Sequence, residues 1–134
     1  MDIYKSAGII IKDKKFLMVR AEGRDRFLSP GGKIEAGETS KQALIRELLE
    51  EVSLTVDEDG LEEFGHFEAI ADDTSGRVIK MEVFIVKNWL GEILAASEIE
   101  ELCWVDSANQ HERKLGSIFE HQVLPLLAER GLID

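Results

Sequence analysis

Cysteine is almost missing from this chain: Cys103 is its single thiol, which excludes an intrachain disulfide. Apolar and aromatic neighbours mark Cys103 as a buried core thiol. Long apolar runs are also absent. No stretch of about 18 apolar residues occurs, and no apolar segment follows a basic N-terminus, so neither a membrane span nor a secretory signal is expected. A soluble cytoplasmic protein follows as the expectation. Positive charge is scarce, with 16 Lys and Arg against 27 Asp and Glu and a net charge of −11. A nucleic-acid polymer is therefore not an expected partner, because proteins that bind its backbone present net positive surfaces. Any phosphate-bearing ligand has to be drawn in locally, by a metal ion or a few cations.

The 134 residues suit one domain, 1–134, large enough for a packed core without staples. Two β-rich runs, Ser6 to Ile11 and Lys15 to Arg20, flank the polar turn Lys12-Asp13-Lys14 and read as a hairpin. A loop from Gly23 through Pro30-Gly31-Gly32 to Gly37 follows. Thr39 as N-cap with Gln42 three residues on forms a capping-box pattern, and Ile45, Leu48, Leu49 and Val52 recur behind it at helical spacing. A helix over about 40–52 is predicted, with its apolar stripe beside an acidic face. Two more β-type runs, Leu61 to Ala71 and Val78 to Trp89, surround the turn segment 72–76, and a shorter one covers Leu102 to Val105. From Leu115 to Gly131 the apolar spacing is helical again, with Pro125 either kinking that helix or starting a new one. Strands and helices interleaved in this way predict an α/β fold, a sheet covered by helices on both faces.

On the first helix Glu47, Glu50 and Glu51 sit three and four residues apart beside Arg46. That spacing gathers three carboxylates on one face, where each raises the pKa of the others unless a cation sits among them. A hard divalent ion with oxygen ligands, Mg²⁺ or Mn²⁺, answers that need. A solvated acidic helix face is the plain alternative for an arbitrary acidic helix.

A longer pattern selects between them. Gly32, Glu38 and the run Arg46-Glu47-Leu48-Leu49-Glu50-Glu51-Val52-Ser53-Leu54, spread over 23 residues, resemble the Nudix box of the Nudix hydrolases, which cleave diphosphates linked to another moiety. Every fixed position matches except Ser53, where the family pattern has glycine. The resemblance implies an α/β/α sandwich with a mixed β-sheet. It also implies that Glu47, Glu50 and Glu51, with the carbonyl of Gly31, hold divalent ions while Arg46 orients a neighbouring glutamate. Glu38 either supports that arrangement or places a favourable charge at the helix N-terminus. Lys33 resembles the lysine of MutT-type members, whose stretch corresponding to Pro30 to Glu38 is similar. Lys33 and Arg20 are the candidates for binding substrate phosphates, against the alternatives of a solvated lysine and an edge-strand charge. A later acidic residue often assists the metal or acts as base in this family. Glu98 and Glu101 are the candidates here, against a solvated charge run. Trp89, Trp104 and Phe27 read as core or rim packing. His66, His111 and His121 have no metal-ligand spacing.

The function implied is attack of water on a phosphorus of a small-molecule nucleotide, with one glutamate taking a proton; Glu98 and Glu101 compete with Glu47 for that role. The leading expectation is a nucleoside triphosphate, oxidised or deoxy forms included, cleaved to a monophosphate and pyrophosphate. Hydrolysis of ADP-ribose or another nucleoside diphosphate derivative is the alternative. The proline that many ADP-ribose hydrolases carry beyond the box is missing, the only prolines being Pro30 and Pro125. A nucleotide-sensing module without turnover is a third reading, against which stands the presence of every box glutamate.

Overall fold

A computed structural model describes residues 2–71 and 74–134. Among the described residues seven strands run in the order β1 (Asp2–Ile9), β2 (Ile11–Lys12), β3 (Lys15–Ala21), β4 (Gly31–Lys33), β5 (Leu61–Ile70), β6 (Val78–Val86) and β7 (Ile99–Val105). Helix α1 (Ser40–Val52) lies between β4 and β5, and α2 (Leu124–Glu129) closes the chain. One sheet has the order β4-β1-β6-β5 and the other β2-β3-β7. The larger sheet is mixed, because β1 pairs parallel with β6 and antiparallel with β4.

The expected N-terminal hairpin is reduced to β2 and β3, and the run from Ser6 to Ile11 is divided between the two sheets. Burial accounts for the division. Ala7 and Ile9 enter the core on the α2 side, whereas Ile10 enters the core on the α1 side with Leu44, Leu48 and Val52. β3 splits its side chains in the same way, Phe16 and Met18 to one core and Leu17 and Val19 to the other. A run apolar at every position is what a strand buried on both faces requires. The strands thus form a layer between α1 and α2, the α/β/α arrangement. Cys103 is buried in the α2-side core, and burial pushes its thiol pKa up to about 11.

α1 occupies the predicted span. Thr39 accepts from the Gln42 N–H while the Gln42 side chain accepts from the Thr39 N–H, completing the capping box. The buried stripe is Ala43, Leu44, Leu48 and Val52, whereas Leu49 is exposed. Leu49 was expected to share the apolar stripe, but it lies one residue round from Leu48, about 100° away on the helix surface.

Ser53 ends α1 in the left-handed region, at φ 65°. That conformation is easier for glycine by roughly 0.5–1 kcal/mol. The Ser53 hydroxyl also donates to the Leu94 carbonyl at 3.2 Å on the exposed surface, which offsets part of the strain. Ser53→Gly is therefore expected to be neutral or to stabilise by up to about 1 kcal/mol, with activity retained. Denaturant unfolding checks this, and a clear loss of stability would show that the hydroxyl contact outweighs the strain.

Near the C-terminus the helical run does not restart at Pro125. Residues Phe119–Val123 form a π-helical turn that continues into α2. Proline has no N–H for an α-type bond, and the helix widens just before it, the Leu124 N–H bonding back to the Phe119 carbonyl. Part of the turn segment 72–76, namely Asp72 and Asp73, lies outside the described residues.

Candidate active site

The site is built where α1 crosses the short strand β4. Pairing of Ala7 with Gly31 and Ser6 with Gly32 holds β4 at the sheet edge. Backbone crowding excludes a side chain at Gly31, and at Gly32 a side chain would displace the Glu47 carboxylate. A Cβ on Gly31 would come within 2.1 Å of the Ser6 carbonyl oxygen, and one on Gly32 within 2.7 Å of the Glu47 carboxylate. The second contact shows that Glu47 rests directly on the β4 backbone. Glu51, one turn further along α1, accepts from the Gly31 N–H at 2.9 Å.

Arg46 ties the surrounding carboxylates together. Its Nε donates to Glu38 Oε2 at 2.7 Å and its Nη2 to Glu38 Oε1 at 3.0 Å, a bidentate pair. Nη1 donates to Glu47 Oε1 at 2.8 Å and lies 3.5 Å from Glu50 Oε2. Nη2 also donates to the Lys33 carbonyl at 3.2 Å, which joins the helix to β4. Glu38 therefore supports the site through Arg46. The Arg46 guanidinium, helped by the Glu35 N–H, holds the Glu38 carboxyl well below the usual carboxylate range, at about 2.

The opposite shift marks the two inner glutamates. Burial pushes the Glu51 pKa up to about 8; the Gly31 N–H works against this, while Glu47, Glu98 and Glu50 add to it. Burial also raises Glu47, and the lowering by Arg46 does not cancel it. Carboxylates in this condition favour a cation or a proton. Among the described residues no three His, Cys, Asp or Glu side chains enclose a metal position as they stand, because Arg46 engages Glu47 and the Gly31 N–H engages Glu51. The donor set nevertheless fits a hard divalent ion, with oxygen ligands only and an excess of negative charge that burial makes costly.

The two later glutamates separate. The loop before β7 docks on the C-terminal end of α1, where the Leu94 and Ala96 N–H groups cap the Val52 and Glu51 carbonyls. That docking brings Glu98 close enough to raise both Glu47 and Glu51. Glu101 instead accepts from Arg20 Nη2 at 3.0 Å, and Glu100 does the same at 3.0 Å. Arg20 also donates to the Arg24 carbonyl and lies 5.9 Å from the Phe27 ring centroid, with Arg113 at 5.7 Å from that ring. Arg20 and Glu101 thus neutralise each other and brace the loop after β3. Lys33 is exposed and, among the described residues, has no side-chain hydrogen bond or ion pair. Trp89 and Trp104 pack against the α1-side core. One further cation that the motif does not contain, Lys5 on β1, stands in register with Lys33.

The site is thus an arginine-tied glutamate cluster laid on a glycine strand at the edge of a mixed sheet. The NUDIX domain model matches residues 3–127, and the chain belongs to that family. Nudix hydrolases generally use divalent metals. The 8-oxo-dGTP diphosphatase of Haemophilus influenzae is 37% identical over 109 residues, covering 78% of this chain and 76% of that one. The ADP-ribose pyrophosphatase of Methanocaldococcus jannaschii is 34% identical over 105 residues, covering 76% of this chain and 60% of that one. A solved MutT structure, of the enzymes of Aliivibrio salmonicida and Vibrio cholerae, superposes with a TM-score of 0.73 at 27% identity, covering 96% of this chain and 99% of that one. No helix among the described residues is long and apolar enough to cross a membrane.

Proposed function

We propose that the chain hydrolyses a nucleoside triphosphate, oxidised or deoxy forms included, to a nucleoside monophosphate and pyrophosphate, with Mg²⁺ or Mn²⁺ as cofactor. The observation that carries this reading is the juxtaposition of Glu47 and Glu51, seated on Gly32 and Gly31, with the unpaired Lys33 on the same short strand. Carboxylates seated on a strand whose next residue is an unpaired lysine suit a ligand that brings both cations and phosphates. The diphosphatase relative supports the choice of a triphosphate.

In the reaction a water oxygen forms a bond to one of the two phosphorus atoms of the cleaved anhydride, the bond from that phosphorus to the bridging oxygen breaks, and the other product leaves with the bridging oxygen. Glu47, Glu50 and Glu51 would hold a divalent cation, which would supply acidification of the water and neutralisation of phosphate charge. Arg46 fixes the Glu47 carboxylate so that its orientation survives substrate binding. Lys33 binds phosphate oxygens. Glu98 is preferred to Glu101 for taking the water proton, because Glu101 is bound to Arg20 while Glu98 is near enough to raise both Glu47 and Glu51.

Product analysis tests the reading. A nucleoside triphosphate should release pyrophosphate, and Lys33→Ala should weaken triphosphate turnover more than that of ADP-ribose, whose chain has fewer charges to neutralise. The ADP-ribose pyrophosphatase relative keeps ADP-ribose as the competing substrate. A higher kcat/KM for ADP-ribose, or orthophosphate as the product from a triphosphate, would overturn the assignment.

A further inference from the structure

Lys5 lies outside the sequence motif, yet the β1 to β4 ladder sets it directly opposite Lys33. One step along that ladder Ser6 stands opposite Gly32, where the Glu47 carboxylate rests, and one step further Ala7 stands opposite Gly31, whose N–H is held by Glu51. At about 3.3 Å per strand residue, the lysine pair begins roughly 7 Å from the Gly31 and Glu51 contact. Alternation along the strands decides the direction of approach. The Cβ direction at Gly32 points toward Glu47 on α1, so Lys33 and Lys5 leave the sheet on the opposite face, the face that carries Ala7 and Ile9 into the α2-side core. Glutamates and lysines therefore flank β4 on its two faces.

Like charges directly opposite on neighbouring strands are destabilising. Here the pair is made worse by placement, because Lys5 is half-buried. Burial, then Lys33 and Arg24, lower its pKa, against the opposing pull of Glu51 and Glu47. No carboxylate among the described residues relieves it by contact. Among the described residues Lys5 makes no side-chain hydrogen bond or ion pair, whereas Lys14, Lys80 and Lys114 each have an acidic partner. An arrangement that costs stability and has no internal partner is one that a multiply charged anion would complete.

We propose that Lys5 is a substrate-binding residue: with Lys33 it grips the non-bridging oxygens of the polyphosphate where the chain crosses the edge of β4, and so favours three phosphates over two. The assignment rests on the triphosphate reading above and adds the residue that reads phosphate number. A purely structural Lys5, present as a counter-charge to Glu47 and Glu51, would behave differently. Its removal would leave the ratio between triphosphate and diphosphate unchanged.

The test compares wild type, Lys5→Met and Lys5→Arg in two assays. In the first, kcat/KM is measured for a nucleoside triphosphate and its diphosphate at fixed free Mg²⁺. Lys5→Met should lose about tenfold or more on the triphosphate, mainly through KM, and about threefold or less on the diphosphate, with Lys5→Arg recovering most of the loss. In the second, calorimetry measures the affinity for inorganic tripolyphosphate and for pyrophosphate with Mg²⁺; Lys5→Met should weaken tripolyphosphate binding by about tenfold. The melting temperature of Lys5→Met without ligand should be unchanged or raised, because a repulsive pair has been removed. Equal losses on both chain lengths, or no loss in either assay, would overturn the Lys5 assignment. A wild type inactive on triphosphates overturns the proposed function instead, and the calorimetric arm then decides Lys5 by itself.

Discussion

Glu51→Gln is expected to lower turnover by at least about 100-fold while leaving the protein folded, since one ligand charge is lost for both ion binding and activation of water. Glutamine keeps the size of the side chain and can still accept from the Gly31 N–H, the contact that seats Glu51 on β4. What it cannot do is carry negative charge. Chelation of divalent ions should abolish wild-type hydrolysis, and activity should fall as pH drops because ligating carboxylates must be ionised. Stability should respond in the opposite sense. The Glu51 pKa is raised to about 8 from an ordinary 4.5, chiefly by burial, so the folded state holds this proton more tightly than the unfolded chain does. Its stabilising contribution is complete below the unfolded pKa and is lost as pH rises toward the folded one. Without divalent ions, the wild-type melting temperature should therefore fall between about pH 5 and pH 8, and the fall should be smaller in Glu51→Gln. Adding Mg²⁺ should reverse the fall at the alkaline end in wild type only. A near-wild-type Glu51→Gln enzyme, or equal rates in chelator and in Mg²⁺, would remove Glu51 from the site.

Arg46→Ala is expected to lower kcat/KM by about 10- to 100-fold, the range found when residues that orient metal ligands are removed. One guanidinium holds both oxygens of Glu38, one oxygen of Glu47 and the Lys33 carbonyl. Its loss frees Glu47 from its orientation and leaves several carboxylates without a counter-charge. Arg46→Lys should recover little, because an ammonium cannot reproduce a planar fork that serves Glu38 and Glu47 together. A metal titration distinguishes this role from a general loss of structure: apparent affinity for Mg²⁺ should change while the circular dichroism spectrum does not. An Arg46→Lys enzyme of wild-type activity would show that charge alone, without the fork, suffices. Acid should reproduce part of the effect. The Glu38 pKa is depressed to about 2 by Arg46, so the support from this pair is present above the ordinary carboxylate pKa and is lost as pH falls toward 2.

Elements written in local chemistry were legible from the chain alone. The capping pair Thr39 and Gln42 and the stripe of Leu48 and Val52 set α1 to its observed span, because caps and helical period depend on residues within a few positions of one another. The glutamate cluster with Arg46 was legible for the same reason, being one face of one helix. The N-terminal run was not. Ser6 to Ile11 reads as a single strand, and only packing against two separate cores explains why the chain changes sheet around Ile10. The helical period also assigned Leu49 to the buried stripe, although the neighbouring sheet covers Leu44 instead.

The sequence by itself determined the family, the acidic helix and the glycine loop that receives it, because each of these is encoded in one short stretch. Tertiary structure decided which charges act together. Arg20 and Glu101, distant in sequence, meet because β3 and β7 pair with those residues in register, and each is the other's counter-charge. Glu98 comes near the glutamate cluster because its loop caps the end of α1. Lys5 meets Lys33 because β1 and β4 run antiparallel with those residues opposed. Electrostatic energy depends on separation in space and on burial, and neither is fixed until the strands have chosen their partners and registers.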